Sequence, residues 1–294
     1  MNVRKLGNQD HATLKKFLEP FQGKALFLLN NMSVAGLDYT GQTYGGEYWA
    51  CFNSSGKITS VLAHYWNGNI IVQSDHIDSL TQTFDYFLKE RTRPIAGLLG
   101  PSQYISAIID SLKLDHDAFT INAKEGLYVL DILKQFKKYL PDEPQNYSLK
   151  KAQDINQDLL IDWIKGFDIQ ALKKPDNKDT YRNAKRRAQN IVSDGFGFIL
   201  TYSDVPVSLC NSNARFKDIC RIGPVWTPPE HRGKKYARIL LSKVINHLFQ
   251  KYGIRTATLI TENPAALNVY QSTGFQHIGK EQLSILKTPI PIKG

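Results

Sequence analysis

Val225-Trp226-Thr227-Pro228-Pro229-Glu230-His231-Arg232-Gly233-Lys234-Lys235-Tyr236-Ala237 is the stretch on which the fold turns. Before it, residues 219–226 are apolar enough for a buried strand, and the two prolines end that strand because they cannot continue a ladder. After it, Ala237, Leu240, Leu241, Val244, Ile245 and Leu248 recur at helical spacing, which predicts a helix over 234–252 with one buried face. A strand therefore runs directly into the amino end of a long helix. There the backbone N–H groups lack helical acceptors and the helix dipole favours an anion. Gly233 permits close backbone approach, and Arg232, Lys234 and Lys235 add positive charge. Read alone, the stretch is equally an ordinary strand-to-helix turn with solvated basic residues.

Working outward, residues 254–260 predict the next strand. Asn263 can cap a following short helix through its side-chain oxygen, Pro264 suits the first helical turn, and Gly274-Phe275 ends it. Two strands are expected at 275–279 and 283–288. On the other side, helices are expected at 156–172 and 179–193 and a hairpin at 197–202 and 205–211. The second helix exposes Arg182, Lys185, Arg186 and Arg187, a cluster read first as hydrated.

The first half has a comparable outline. Helices are expected near 11–18 and 25–35, strands at 47–52, 58–65 and 70–72, a helix at 77–90, a strand at 95–99, a helix at 102–112 and a strand at 127–132. Pro141-Asp142-Glu143-Pro144-Gln145-Asn146 reads as a break. The expected division is thus 1–145 and 146–294. The fold class is α/β (α+β), with a central sheet flanked by helices in each part.

The chain of 294 residues, 42% of them hydrophobic, can fill two cores. Residues 1–145 hold 14 Lys and Arg against 15 Asp and Glu, and residues 146–294 hold 23 against 12. The net charge of +10 therefore belongs to the second half and points to an anionic partner, a nucleic acid or a small molecule bearing several phosphates. Cys51, Cys210 and Cys220 form no C-x-x-C pair, and no H-E-x-x-H stretch occurs, so neither a disulfide framework nor a metal site is expected. No apolar stretch reads as a signal or a membrane span, which sets the expectation of a soluble cytoplasmic protein. His64 reads as local packing in the first part.

Thr261-Glu262-Asn263-Pro264-Ala265-Ala266-Leu267-Asn268-Val269-Tyr270-Gln271-Ser272-Thr273-Gly274-Phe275, together with the turn at 232–237, resembles the GNAT acyltransferase superfamily. In that family a strand and phosphate-binding turn precede an N-P-A-A-x-x-x-Y-x-x-x-G-F type segment. The resemblance is strongest over residues 195–290. More narrowly, P-V-W-T-P-P-E-H-R-G-K-K-Y-A is similar to bacterial two-domain members, whose N-terminal half is a degenerate copy of the same fold. Ala63-His64-Tyr65-Trp66-Asn67-Gly68-Asn69 is similar to a segment of that half. The resemblance implies tandem GNAT-like domains, each with a mixed, mostly antiparallel sheet, and only the second binding acyl-coenzyme A.

By resemblance, the cofactor would be held by Gly223, Val225, Trp226, Arg232, Gly233, Lys234, Lys235, Tyr236, Ala237, Asn263, Ala266 and Tyr270, with Tyr270 donating a proton to the thiolate leaving group. Lys235 stands where the family usually has glycine, a departure that a helical φ would accommodate and a positive φ would strain. Asn263 is either a helix cap alone or a cap that also touches the ligand. Glu230, His231, Glu262 and Glu281 carry no firm assignment as base, and Cys210 and Cys220 read as small buried side chains.

The implied function is transfer of an acyl group, acetyl first, from acetyl-CoA or another acyl-CoA directly to the primary amine of a small molecule or peptide. Two alternatives stand beside it. One is aminoacyl transfer from charged tRNA, which the charge asymmetry suits; the other is a non-catalytic module that binds coenzyme A or nucleic acid. No matching phosphate turn lies between Asn69 and Ser79, so a second equivalent active site is not expected.

Overall fold

The computed structural model describes residues 2–21, 23–139 and 144–292. The expected break at 141–146 therefore falls partly outside the described residues. Two compact units divide the chain, Met1–Leu127 with Gly279–Gly294, and Tyr128–Ile278.

In the first unit the elements run β1 (Asn2–Leu6), α1 (His11–Leu18), α2 (Leu26–Ala35), β2 (Gly46–Phe52), β3 (Ile58–Tyr65), β4 (Asn69–Ser74), α3 (Ile77–Glu90), β5 (Ile95–Pro101), α4 (Ser102–Ser111) and β6 (Phe119–Asp131), the last of which ends in the second unit. β1 to β4 form an antiparallel meander, and β5 joins β4 in parallel through Asn69–Gly97, Ile70–Leu98 and Ile71–Leu99. The core lies between the sheet and the helices α3 and α4. Ile70, Val72, Leu98, Phe84, Phe87, Ile105 and Ile108 meet there because strand period and helix period both turn apolar side chains to that face.

The second unit follows with α5 (Ile132–Gln135), β7 (Tyr147–Lys151), α6 (Gln157–Gln170), α7 (Lys178–Asp194), β8 (Gly197–Tyr202), β9 (Val205–Phe216), β10 (Ile219–Trp226), α8 (Tyr236–Tyr252), β11 (Thr256–Thr261), α9 (Pro264–Thr273) and β12 (Gln276–Ile290). β7 to β10 are antiparallel, while β10 and β11 are parallel through Ile219–Thr256, Cys220–Ala257 and Arg221–Thr258. Beyond Arg221 and Thr258 these two strands no longer pair. Leu240, Leu241, Val244, Ile245 and Leu248 of α8 fill one side of this sheet, and Trp163, Ile164, Ala184 and Ala188 of α6 and α7 fill another cluster with Leu209 and Trp226.

The sheets are mixed and mostly antiparallel with flanking helices, and the order of elements is the same in the two stretches of chain. The compact units, however, do not divide at 145/146. From Gly279 onward β12 pairs with β5 of the first unit, through Glu281–Pro101 to Ile285–Gly97, while Tyr128–Asp131 of β6 and the segment after it belong to the second. Three further differences have one cause. β1, β7 and the early part of β6 were not expected as strands because their polar and apolar residues are mixed, as in N-V-R-K-L and Y-S-L-K-K, and sheet pairing overrides that weak pattern.

Candidate functional site

The chain leaves β10 at Trp226, makes a short 3-10 turn at Pro229–His231, and passes Gly233 at φ 78° and Lys235 at φ 61° before α8 begins at Tyr236. The first helical bonds are made by Arg238 and Ile239, whose N–H groups donate to the Lys235 carbonyl at 3.0 and 3.1 Å. The N–H groups of residues 233–237 have no acceptor among the described residues. Residues 232–235 are exposed, and a Cβ placed on Gly233 would meet nothing within 4 Å. Free amides exposed at the start of a 17-residue helix can accept an anion.

Lys235 takes the left-handed conformation, which answers the question its identity raised. The position does need what glycine supplies most cheaply, and a lysine there holds about 1–2 kcal/mol of local strain. Its ammonium lies 5.9 Å from the Tyr139 ring, with the Arg238 guanidinium 4.4 Å from the same ring.

Arg232 is held differently from the expectation that it simply adds free charge to the turn. Its Nε donates to the Thr227 carbonyl at 3.0 Å, its Nη2 donates to Gln170 Oε1 at 2.7 Å, and its guanidinium stacks 4.9 Å from the Trp226 ring. It fastens the turn to α6. The cations left facing solvent at the turn are Lys234 and Lys235.

Lys137 and Lys138 join that group, and the sequence reading missed them. The Tyr139 N–H donates to Ser242 Oγ of α8 at 3.0 Å and the Lys137 N–H donates to the Thr273 carbonyl of α9 at 2.9 Å, so both exposed lysines lie along the α8–α9 side of the turn. Their only sequence signal is a basic pair in a half that is otherwise slightly acidic.

The remaining positions separate into main-chain and side-chain contributors. Gly223 lies within, and Val225 ends, a register shift in β10, on the strand whose pairing with β11 has already ended. The Trp226 ring is 7% exposed and faces Phe167 of α6, so its side chain is structural. Tyr236 is likewise packed by Tyr147, Tyr202 and His231, and burial followed by the neighbouring Tyr202 pushes its hydroxyl pKa up. Only the main chain of Trp226 and Tyr236 is available to a ligand. Ala237 and Ala266 are half-buried.

Asn263 Oδ1 accepts from the Ala265 N–H at 3.0 Å, so the cap is formed. Tyr270 projects from α9 into the core beside Phe275 and is 8% exposed. Near the start of α9, burial and then the Glu262 carboxylate raise the Tyr128 hydroxyl pKa, and the His277 ring lies 5.3 Å from the Tyr128 ring. Glu262 is exposed and close enough to that phenol to act on it. Glu281 is buried at 3% exposure and belongs to the first unit.

Three other expectations meet the structure here. Burial pushes the Cys220 thiol up to about 12 and Cys210 still higher, so neither is a ready nucleophile. In the α7 cluster, Arg182 pairs with Asp179 and Arg186 with Asn183, while Arg187, expected to be hydrated, is bound to the fully buried Asp168 of α6. Lys174 binds the second oxygen of Asp168 at 3.0 Å. Among the described residues no group of three His, Cys, Asp or Glu is placed to hold a metal, and no helix is long and apolar enough to cross a membrane.

Residues 158–275 match the model of the Acetyltransferase (GNAT) family. Over this segment, less than half of the chain, the sequence is similar to that family. The match takes in α6 through α9 and so contains the turn, the diverging strands and Tyr270 of the GNAT segment. Solved structures share the fold over nearly the whole chain. A Drosophila protein covers 97% of this chain and 98% of its own at 13% identity and a TM-score of 0.66. A GCN5-related N-acetyltransferase from Sphaerobacter thermophilus covers 99% and 96% at 11% identity and 0.56, and a GNAT-family acetyltransferase from Colwellia psychrerythraea covers 97% and 100% at 11% and 0.50. No curated protein matches the sequence significantly.

Proposed function

We propose that the second unit is an acyl-coenzyme A-dependent N-acyltransferase that transfers acetyl directly to a primary amine of a small molecule or peptide. The observation that carries this reading is the exposed run of unpaired amides at 233–237, set beside a strand whose partner has left it beyond Arg221. The amides, Lys234 and Lys235 would hold the paired phosphates, with Lys137 and Lys138 adding field from the flank. The main chain of 222–226 would align the pantetheine arm as an added strand and offer an N–H to the thioester oxygen. When bound, the acyl-coenzyme A supplies an activated acyl group and a thiolate leaving group. Tyr270 would protonate that sulfur through its phenolic hydroxyl.

The acceptor must attack as a free amine, and no side chain needs to form a covalent bond with the acyl group. Buried, poorly ionised cysteines agree with direct transfer. The α7 cluster favours this small-molecule reading over a polyanion, because two of its three arginines are already paired with carboxylates.

The decisive experiment combines calorimetric titration of the full chain with acetyl-CoA and a free-thiol assay over a panel of amines. Saturable binding with amine-dependent thiol release supports the reading. A folded protein with no affinity for acetyl-CoA overturns it. Binding without turnover leaves a binding module, and transfer from charged tRNA in place of acetyl-CoA establishes the aminoacyl alternative.

A further inference from the structure

β9 and β10 are neighbours in the second unit's sheet, and their register slips where the acyl group would lie. Arg221 pairs with Ala214 and Ile222 with Ser212, which leaves Asn213 with no residue opposite it. Val225 pairs with Cys210, so Gly223 and Pro224 of β10 face the single residue Asn211. Each strand thus carries one extra residue, and such irregularities re-aim side chains locally. The register of β8 with β9 runs no further than Gly197–Asn211, so β8 does not pair with Asn213.

The Asn213 side chain stands at that slip. It is exposed, and its carboxamide has no hydrogen-bond partner among the described residues. A Cβ built on Gly223 would meet one group within 4 Å apart from its chain neighbours, Asn213 Nδ2 at 3.8 Å. Gly223 also has a φ of 153°, which side chains avoid, so glycine keeps the approach to this α-carbon open and the carboxamide borders it. Gly223 lies in the segment 222–226, the one proposed above to align the thioester, just past the Arg221–Thr258 pair with β11. An amine that attacks a thioester held there comes up to the part of the strand that Asn213 flanks.

We propose that Asn213 determines specificity for the acceptor by hydrogen-bonding an amide group one carbon away from the attacking amine, an inference that rests on the acyltransferase reading of the second unit. A carboxamide donates through Nδ2, accepts through Oδ1 and carries no charge. Its complement is another amide, whose C=O accepts from Nδ2 and whose N–H donates to Oδ1. Amino-acid amides and the amino ends of peptides are therefore favoured over alkylamines, which offer neither group, and over diamines, whose second ammonium meets no opposite charge on this side chain. The step itself is direct transfer. The amine nitrogen forms the C–N bond, the C–S bond breaks with its electron pair on sulfur, and sulfur takes the Tyr270 proton, while the amine's proton passes to water and water reprotonates Tyr270.

The test uses the full chain and measures thiol release from acetyl-CoA with glycinamide, n-propylamine and 1,4-diaminobutane, each rate referred to the concentration of free amine. In the parent, kcat/KM for glycinamide is expected to exceed the other two by about tenfold or more. Asn213→Ala should lower the glycinamide value about tenfold, mainly through KM, and leave the propylamine value and the KM for acetyl-CoA unchanged. Asn213→Asp should shift preference toward the diamine. Acetyl-CoA titration of the same samples checks that each variant is folded. The proposal is overturned if the parent uses propylamine as well as glycinamide, if Asn213→Ala lowers both amines alike or neither, or if only the KM for acetyl-CoA moves. A parent that releases no thiol with any amine overturns the acyltransferase reading, and the proposal falls with it.

Discussion

Gly274 lies directly against the main chain of Gln135: a Cβ built on Gly274 would stand 2.0 Å from the Gln135 carbonyl oxygen. No side chain fits, and the residue's φ of 109° is in any case one that side chains avoid. The glycine that closes the GNAT segment therefore serves the seating of α9 on the segment after β6. Gly274→Ala is expected to destabilise the protein by about 2–4 kcal/mol, combining backbone strain with overpacking. Urea unfolding measures the loss, and an unchanged midpoint contradicts the contact.

Lys235 gives a prediction of opposite sign. Lys235→Gly removes the left-handed penalty at the cost of a more flexible unfolded chain, so stability should rise by about 0.5–1 kcal/mol. Affinity for acetyl-CoA should fall several-fold through loss of one cation, an effect that shrinks as salt is added. Thermal unfolding and calorimetry at two salt concentrations check both halves.

Tyr270→Phe separates chemistry from binding. The ring still packs against Phe275, so stability and the KM for acetyl-CoA should change little. The rate constant for turnover should drop by about a hundredfold if the hydroxyl supplies the proton. Steady-state kinetics on the first productive amine gives the answer, and an unchanged kcat removes Tyr270 from the chemistry.

His64 should make the first unit acid-sensitive. It is fully buried, its Nε2 lies 3.1 Å from the Pro94 carbonyl, and burial, with Arg93 second, lowers its pKa to about 4. Unfolded, the group titrates near 6.5, so between these values the unfolded chain holds the extra proton. Stability is therefore complete above about pH 6.5 and is lost as pH falls toward 4, by about 3 kcal/mol in total. His64→Phe should flatten that slope. Glu47, whose pKa is lowered overall by Lys5 and Arg93 against a larger opposing effect of burial, loses its contribution only at lower pH. Denaturant midpoints from pH 7 to 4 distinguish the two.

Asp168→Asn should loosen the α6–α7 pair. The carboxylate is wholly buried, while Arg187 and Lys174 are 30% and 24% exposed and can recover part of their hydration. A loss of about 2–3 kcal/mol is expected, below the full cost of breaking a sealed ion pair. A urea titration that shows no change would mean the ion pair is dispensable.

The strand, turn and helix at 219–252 were legible because three signals agree there: apolar strand residues, paired prolines that stop the ladder, and a helical repeat. The same agreement exposed the Asn263 cap. What stayed hidden has a common physical origin in side-chain direction and long-range pairing. Nothing local says that Arg232 turns back to Gln170, that Trp226 points into the α6 packing, or that the main chain of Lys137 and Tyr139 reaches α9 and α8. Glu281 illustrates the same limit. Its place in the chain suggested the second half, but strand pairing with Pro101 makes it part of the first unit. Two strands were expected at 275–279 and 283–288, whereas β12 runs unbroken over Gln276–Ile290.

The membership of β12 sets the order in which this protein can be finished. A ribosome delivers residues 1–127 early, yet the sheet they begin has an open place beside β5 until residues 279–290 emerge. The nascent first unit must therefore wait, with an unpaired strand edge exposed, while the whole of the second is made. Cutting the gene at the midpoint would give two fragments that each lack a piece of their own sheet, so coexpression of the fragments would be needed where a separable domain would need none.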